Sequence, residues 1–240
     1  MNQPILADRV VIRLHPEDDE SARDFLQGLV TSDMAAQLPL WTALLTPQGK
    51  CLFDFLVYPA GDDLLIDCDA DAATDLVRRL TLYRLRRKIA IAIDPALGVY
   101  WEGSWPDGPN ADPRLPGLGQ RWIAERYEVE TDASPAWRAH RLVLGVPEGR
   151  AELTDILWLE CNAAELNGVS FSKGCYVGQE NTARMNWRST VNRRVVVVPI
   201  ADADPKRQRV AYPDLGWSVE HRRVEDIPAS AWREWMGERP

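Results

Sequence analysis

The stretch Lys173-Gly174-Cys175-Tyr176-Val177-Gly178-Gln179-Glu180 places a cationic side chain two residues before a thiol and a glycine three residues after it. Free cysteine titrates near ~8.5, and only its thiolate attacks electrophiles or binds soft metals. A nearby ammonium and the N-terminus of a helix both favour the thiolate. A hydrophilic run of helical character follows this octapeptide. The pattern therefore predicts an activated thiol at Cys175, with Lys173 as its cationic neighbour.

The residues upstream of the octapeptide alternate between strand-like and helix-like segments. Helices are predicted at 16–30, where Pro16 begins the run and Asp18, Asp19 and Glu20 lie in its first turn, and at 70–82, which is rich in helix formers. Apolar, β-branched runs predict strands at 5–14, 42–45, 52–58, 64–67 and 89–93. Strands interleaved with two helices are typical of a ferredoxin-like unit within an α+β fold.

The second half of the chain continues the α+β pattern after a segment rich in proline and glycine. That segment, 105–119, predicts a linker or an open loop. A strand at 121–128, a helix at 136–144 and a strand at 193–200 follow, and Trp232 and Trp235 predict a last short helix packed onto the body. We therefore divide the chain into a ferredoxin-like part (1–100), a second α+β part ending in the octapeptide region (101–190) and a C-terminal segment (191–240).

The bulk composition bounds the classes of function. The chain has 240 residues, 45% of them apolar, which is enough for an ordered core. Its formal net charge of −8 argues against general nucleic-acid or anionic-membrane binding. Positive charge is concentrated in two groups, which predict either a local anionic ligand or solvated helix faces with ion pairs. They are Arg78, Arg79, Arg84, Arg86, Arg87 and Lys88, and Arg184, Arg188, Arg193 and Arg194.

The cysteines and the apolar runs bear on metal sites and location. None of Cys51, Cys68, Cys161 and Cys175 forms a CxxC pair, so neither a structural zinc site nor a self-contained four-thiolate cluster is expected. No apolar run approaches the ~18 residues of a membrane span. The N-terminus lacks the pattern of a signal or transit peptide, which predicts cytoplasmic residence and reduced thiols.

Four places in the sequence resemble the YgfZ family, folate-binding relatives of the glycine-cleavage T-protein that assist iron–sulfur proteins. The octapeptide region, 160–184, resembles the family signature, and weaker matches at 25–33, 45–54 and 83–88 occur in the expected order. The resemblance implies the T-protein fold, bound tetrahydrofolate, and scaffold or client proteins that carry iron–sulfur clusters. The family usually carries a β-barrel domain after the signature, and the fifty or so residues that remain here imply a reduced C-terminal β region.

The resemblance also implies roles for individual residues. Glu160, just upstream of an Asn/Gly-rich segment, would accept hydrogen bonds from the pterin amine and ring N–H. Asp54, within an apolar strand, would line the folate pocket. Tyr176 would flank the pterin ring and Gln179 would contact the cofactor, although core packing and helix capping explain these two equally well. Cys175 would be a thiolate ligand to an iron–sulfur cluster shared with a partner, because one thiolate cannot hold a cluster.

Two functions follow from these residues. The first is a folate-binding accessory protein that uses Cys175 to assemble or repair iron–sulfur proteins, including enzymes that modify tRNA. The alternative is a tetrahydrofolate-dependent aminomethyltransferase or demethylase with Asp54 as an electrostatic or general-base group. The thiol in the signature and the short C-terminal segment favour the first, which is not a conventional enzyme.

Overall fold

A computed structural model describes residues 3–104, 108–187 and 191–239. Short strands dominate the described residues, and the helices are few. The strands are β1 (Gln3–Ile5), β2 (Arg9–Pro16), β3 (Leu40–Leu45), β4 (Cys51–Ala60), β5 (Asp63–Asp69), β6 (Ile89–Ile93), β7 (Leu97–Glu102), β8 (Gln120–Glu125), β9 (Glu130–Asp132), β10 (Arg193–Pro199), β11 (Gln208–Tyr212) and β12 (Trp217–Arg223). The α-helices are α1 (Ala22–Gln27), α2 (Ala70–Arg84), α3 (Ser134–Val143), α4 (Arg150–Leu153) and α5 (Gln179–Trp187).

The first half of the chain forms an antiparallel sheet with strand order β3-β4-β5-β2-β6. The predicted hairpin is confirmed, since β3 pairs with β4 and the turn at 46–49 joins them. Helices α1 and α2 bury Phe25, Leu26, Leu76 and Leu80 in one apolar cluster with side chains of β2, β4 and β5. Apolar residues on one face of each element therefore build this layer.

The predicted strand at 5–14 is wrong as a single element. The chain turns at Ala7 and Asp8, and the Asp8 amide donates to the Ser134 hydroxyl. As a result β1 leaves the first sheet and joins a second one, with strand order β8-β7-β1-β9. A polar Asp within an apolar run marked the break, because Asp favours turns over central strand positions.

The predicted helix at 16–30 is also shorter than expected. Asp18 has a φ of 55°, in the left-handed region, so the segment before α1 is a turn. Helix α1 begins after Ser21, whose hydroxyl accepts from the Asp24 amide at 3.1 Å as an N-cap. The acidic residues at 18–20 belong to the turn rather than to the first turn of the helix.

The C-terminal segment forms a third antiparallel sheet with strand order β10-β12-β11. This sheet is the C-terminal β region of the described residues, and the whole is an α+β fold. The indole N–H of Trp235 donates to the Leu144 carbonyl at 2.8 Å, which ties the tail to the body. The division of the chain at residues 100 and 190 stays a prediction. None of the described helices has both the length and the apolar character that crossing a membrane would need.

The Pro/Gly-rich segment is not an open loop in the part that the structure describes. In residues 108–119, Asp112, Arg114 and Leu118 are all buried. Leu118 belongs to the largest apolar cluster, and the Arg114 guanidinium lies over the rings of Trp41 and Trp137 within it. The prediction of a linker or an open loop is therefore wrong for these residues. Proline and glycine here shape a packed segment that places the Arg114 guanidinium in the core.

Candidate functional site

The signature loop presents Cys175 to solvent between two buried anchors. Lys173 and Tyr176 are 7% and 8% exposed, whereas Gly174 and Cys175 between them are exposed. The loop is therefore fixed on both sides of the thiol while the thiol itself points outward.

The anchor before Cys175 is the Lys173 ammonium. Its Nζ donates to the carbonyl oxygens of Val30 at 2.6 Å and Ser32 at 2.9 Å, and it lies 5.1 Å from the centre of the Tyr176 ring. Burial lowers the pKa of Lys173 to about 8, and the nearby Asp33 carboxylate opposes that shift. The ammonium thus holds two chain segments together, and its predicted role as the cation that activates Cys175 stays a prediction.

The anchor after Cys175 is the start of α5. Gly178 has a φ of 83°, and a Cβ at this position would collide with the carbonyl oxygen of Thr46 and lie 3.0 Å from the Leu45 Cβ. The side-chain amide of Asn181 donates to the backbone carbonyl of Gln48 at 2.9 Å. Glycine is therefore required for the signature helix to pack against the β3–β4 turn. Gln179 begins α5, and its backbone N–H donates to the Tyr176 carbonyl at 3.3 Å.

The other cysteines differ from Cys175 in burial. Cys51, Cys68 and Cys161 are all buried. Burial raises the pKa of Cys68 to about 12 and raises the pKa of Cys51 and of Cys161 well above the usual value. These thiols are held in the neutral form within the core, so Cys175 is the cysteine available for metal or electrophile chemistry.

Glu160 lies in a short 3-10 turn, Trp158–Cys161, and its carboxylate pairs with His221. Glu160 Oε2 is 2.9 Å from His221 Nε2 on β12. Glu160 is 9% exposed, so the pair is largely sheltered from water. A carboxylate has about four acceptor sites, and this one retains capacity for further donors.

Asp54 is buried within β4. Its Oδ2 accepts from the Trp41 indole and from the Gly149 amide, both at 3.3 Å. Burial raises the pKa of Asp54 to about 6, reinforced by the Asp69 carboxylate and opposed by the Arg9 guanidinium. A carboxyl group that titrates near neutrality inside the fold is typical of a functional position.

A buried ionic network beside Asp54 escaped the sequence analysis. Arg121 donates from Nε to Asp67 Oδ2 and from Nη1 to Glu148 Oε1, each at 2.7 Å, and Arg114 Nη1 reaches the same Glu148 oxygen at 2.9 Å. Burial opposes ionisation of Glu148, but Arg121 and Arg114 outweigh it and hold its pKa well below the usual range. Arg114 and Arg121 flank the end of the Pro/Gly-rich segment, and no local pattern marks them as buried.

A cleft of about 560 Å³ lies against this network. Arg9, Asp69, Arg141, Glu148 and Tyr212 are among its lining residues, and Gly149 connects it to Asp54. Neither Asp54 nor Glu160 is part of its lining within the described residues. The volume and the mixture of aromatic, cationic and anionic groups are appropriate for a small charged ligand.

Part of the first predicted basic group is neutralised by ion pairs. Arg87 pairs with Glu20 at 2.7 Å and Lys88 pairs with Asp18 at 2.5 Å. The acidic turn before α1 therefore supplies counterions for these cations, which favours the solvated-face interpretation for them.

The second predicted basic group divides. Arg194 pairs with Glu165 at 2.5 Å, Arg184 is exposed on α5, and Arg188 lies outside the described residues. Arg193 lies at the start of β10, and we return to it below.

Comparison with known proteins finds sequence relatives among iron–sulfur cluster assembly factors and a solved structure of similar fold. No protein-family model matches the chain. The chain is 33% identical over 226 residues to the mitochondrial iron–sulfur cluster assembly factor IBA57 homolog of Neurospora crassa, covering 77% of this chain and 51% of that protein. It is 31% identical to the Pyricularia oryzae homolog, covering 85% and 59%, and 30% identical to human IBA57, covering 82% and 66%. The chain thus spans between about half and two thirds of the length of these relatives.

The names of these relatives correct one expectation. Each is described as mitochondrial, which contradicts the cytoplasmic residence expected from the N-terminus. The absence of a leader-like pattern was weak evidence, because nothing in the folded residues records the compartment.

The crystal structure of the glycine cleavage system aminomethyltransferase T from Bartonella henselae matches the fold with a TM-score of 0.64. The match covers 93% of this chain and 78% of that one at 10% sequence identity. A match at this low sequence identity supports a statement about the fold alone. The chain is therefore similar in sequence to the IBA57 iron–sulfur cluster assembly factors, and its fold is that of the aminomethyltransferase T-protein.

Proposed function

We propose that this protein is an iron–sulfur cluster assembly factor that acts through Cys175, with the tRNA-modifying enzymes among its clients. The observation that carries the proposal is the exposed thiol fixed between the buried Lys173 and Tyr176. The homology to assembly factors supports the same activity.

The chemistry of such a role follows from the geometry of the loop. A cluster is usually held by four thiolates, so Cys175 would supply one ligand and a scaffold or client protein the others. Cluster binding requires the thiolate, and the thiol proton is released to solvent when the metal binds. Because Lys173 and the start of α5 already fix the loop, binding of a partner at the thiol costs little conformational entropy.

Complementation tests this proposal. The wild-type chain, Cys175→Ser and Ser172→Ala would each be expressed in cells that lack the related assembly factor. The readout is the activity of an iron–sulfur enzyme that depends on that factor. We expect wild type and Ser172→Ala to restore activity and Cys175→Ser to fail while remaining folded. Full restoration by Cys175→Ser would remove the thiol from the function.

We further propose that the protein binds reduced folate in the cleft beside Asp54. Folate bound there would present a pterin edge to carboxylates and a glutamate tail to cations, and the residues present fit both ends. Asp69 is an acceptor in the lining, Asp54 accepts from the amide of Gly149, which lines the cleft, and Arg138 and Arg141 are the lining arginines. Glu160 retains acceptor capacity beside His221, and Tyr176 and Gln179 stay proposals as cofactor contacts.

A folate-dependent aminomethyltransferase is the second candidate. The observation in its favour is the pKa of Asp54 near 6, which suits a group that exchanges a proton at neutral pH. It requires formation of a one-carbon adduct of tetrahydrofolate from an aminomethyl donor. Turnover measured for wild type and Asp54→Asn distinguishes the two candidates, since the assembly factor needs no such turnover.

A further inference from the structure

Arginines stand directly opposite each other on the C-terminal sheet. In the antiparallel pairing of β10 with β12, Arg193 is opposite Arg223 and Arg194 is opposite Arg222. Side chains at such positions share one face of the sheet about 5 Å apart, and like charges there are destabilising. The inner pair is neutralised, because Arg194 binds Glu165 and Arg222 binds Glu220 at 2.7 Å.

The outer pair retains excess positive charge. Within the described residues no carboxylate lies at ion-pair distance from Arg193. Arg223 contacts Glu225 at 3.2 Å, with both side chains more than half exposed to solvent. An exposed pair of this kind neutralises little.

The same two arginines line an open groove of about 880 Å³. Arg239 closes it from the C-terminal tail, where its Nη2 donates to the Ile227 carbonyl at 2.8 Å rather than to a carboxylate. Among the described residues, the lining therefore includes three arginines and one acidic residue, Glu225. Such a local excess is notable on a chain whose formal net charge is −8.

An exposed aromatic residue is close to the groove along the chain. Trp187, at the end of α5, is 90% exposed. Val191, which lines the groove, is four residues later, so the two Cα atoms are at most ~14 Å apart. Arg184 is one helical turn before Trp187 and is also exposed. Tryptophan and arginine are the residue types that dominate binding energy at protein interfaces.

We propose that the groove formed by Arg193, Arg223 and Arg239 binds an acidic segment of a partner protein. Guanidinium groups recognise carboxylates by paired hydrogen bonds, and the three forks here would be satisfied by neighbouring Asp or Glu side chains. A nucleic acid fits less well, since the formal net charge of −8 repels a long polyanion. Cys175 is not among the described residues that line this groove. The acidic segment would belong to the partner protein and would bind apart from the cluster.

Fluorescence anisotropy with a short, labelled Glu-rich peptide tests the proposal on the full chain at low ionic strength. Wild type should bind, and rising salt should weaken binding. Arg193→Glu should weaken binding by about tenfold or more, and Arg239→Ala should weaken it less strongly. The matched control Arg86→Glu, which makes the same change in net charge at an exposed cation in the first basic group, should bind like wild type.

The stability of the same variants separates binding from folding. Arg193→Glu places an acidic side chain opposite Arg223, so its melting temperature should equal or exceed that of wild type. A lower melting temperature would show that Arg193 is a stabilising residue and would overturn the argument. Equal peptide affinity for wild type and Arg193→Glu would also overturn it, and so would tighter binding of single-stranded RNA than of the peptide. Because none of these measurements involves Cys175, their failure leaves the cluster assembly proposal standing.

Discussion

Lys173 Nζ lies 2.6 Å from the carbonyl oxygen of Val30, although the two residues are 143 positions apart in the chain. This hydrogen bond ties the loop that carries Cys175 to the segment after α1, in the first sheet layer. A buried charged donor with two carbonyl acceptors is a costly group to remove, because both acceptors then lose their partner. The position of the thiol therefore depends on the fold of the first half of the chain.

Replacing Lys173 should release this loop. We expect Lys173→Met to lower the free energy of unfolding by about 1–3 kcal/mol, since the Val30 and Ser32 carbonyls lose their donor. Hydrogen exchange of residues 170–177 should also become faster. The control is Lys206→Met, which changes an exposed lysine. Unchanged exchange in the loop would contradict the anchoring role.

The same lysine should give stability a dependence on alkaline pH. Its pKa is lowered from 10.5 to about 8 in the folded chain. Between these values the unfolded chain holds more protons than the folded one, so the contribution of Lys173 to stability rises as pH increases from 8 to 10.5. Denaturant unfolding of wild type and Lys173→Met across that range should show the difference between them growing with pH.

Two glycines of the signature should respond differently to alanine. Gly178→Ala forces a Cβ into the Thr46 carbonyl at a φ of 83°, and we expect a loss of at least ~2 kcal/mol in unfolding free energy. Gly174→Ala is the matched control, because a Cβ there meets nothing within 4 Å. Thermal melts of both variants check this, and equal effects would show that α5 does not need its close approach to the β3–β4 turn.

The buried Asp54 should cost stability at neutral pH. Its pKa is raised from 3.8 to about 6, so the folded chain binds more protons than the unfolded chain between those values, and stability falls as pH rises through this window. Asp54→Asn should therefore be more stable than wild type at pH 7.5, by about 1–3 kcal/mol, and less affected by pH. It should also lose affinity for tetrahydrofolate. Asp67→Asn, which breaks ion pairs to Arg9 and Arg121, should be destabilised instead.

The four thiols should differ widely in reactivity. At neutral pH a thiol with a pKa near 12, as for Cys68, has roughly 10³-fold less thiolate than an ordinary thiol. Iodoacetamide should therefore alkylate Cys175 before Cys51, Cys68 and Cys161. Peptide mapping after limited alkylation of the native chain measures the order. Preferential labelling of a buried cysteine would exclude Cys175 as the reactive group.

Removal of the Glu160 charge should weaken folate binding. Losing one charged partner of a pterin contact costs roughly 2–3 kcal/mol, or ~30- to 150-fold in affinity. Calorimetric titration with tetrahydrofolate would compare wild type, Glu160→Gln and His221→Ala, since His221 shares the carboxylate. Equal affinity for wild type and Glu160→Gln would assign the carboxylate to a purely structural pair with His221.

The sequence by itself determined the local elements and the residue that carries the proposed chemistry. Apolar, β-branched runs predicted the strands that became β3 and β4 and the exact bounds of β6, and the acidic, helix-forming run predicted α2. The pattern around Cys175 singled out one thiol among four. These features depend on neighbours along the chain, which is why periodicity and short motifs record them.

Tertiary structure alone decided which distant groups meet. Lys173 reaches Val30, Glu160 meets His221, and Arg121 enters a buried network with Asp67 and Glu148. Each pairing joins segments that are brought together by sheet register and core packing, and the desolvation of a charge depends on that packing rather than on sequence neighbours. The break between β1 and β2 has the same origin, because one apolar run supplies strands to two different sheets. Only the packing of these sheets in the folded chain determines where the run is divided.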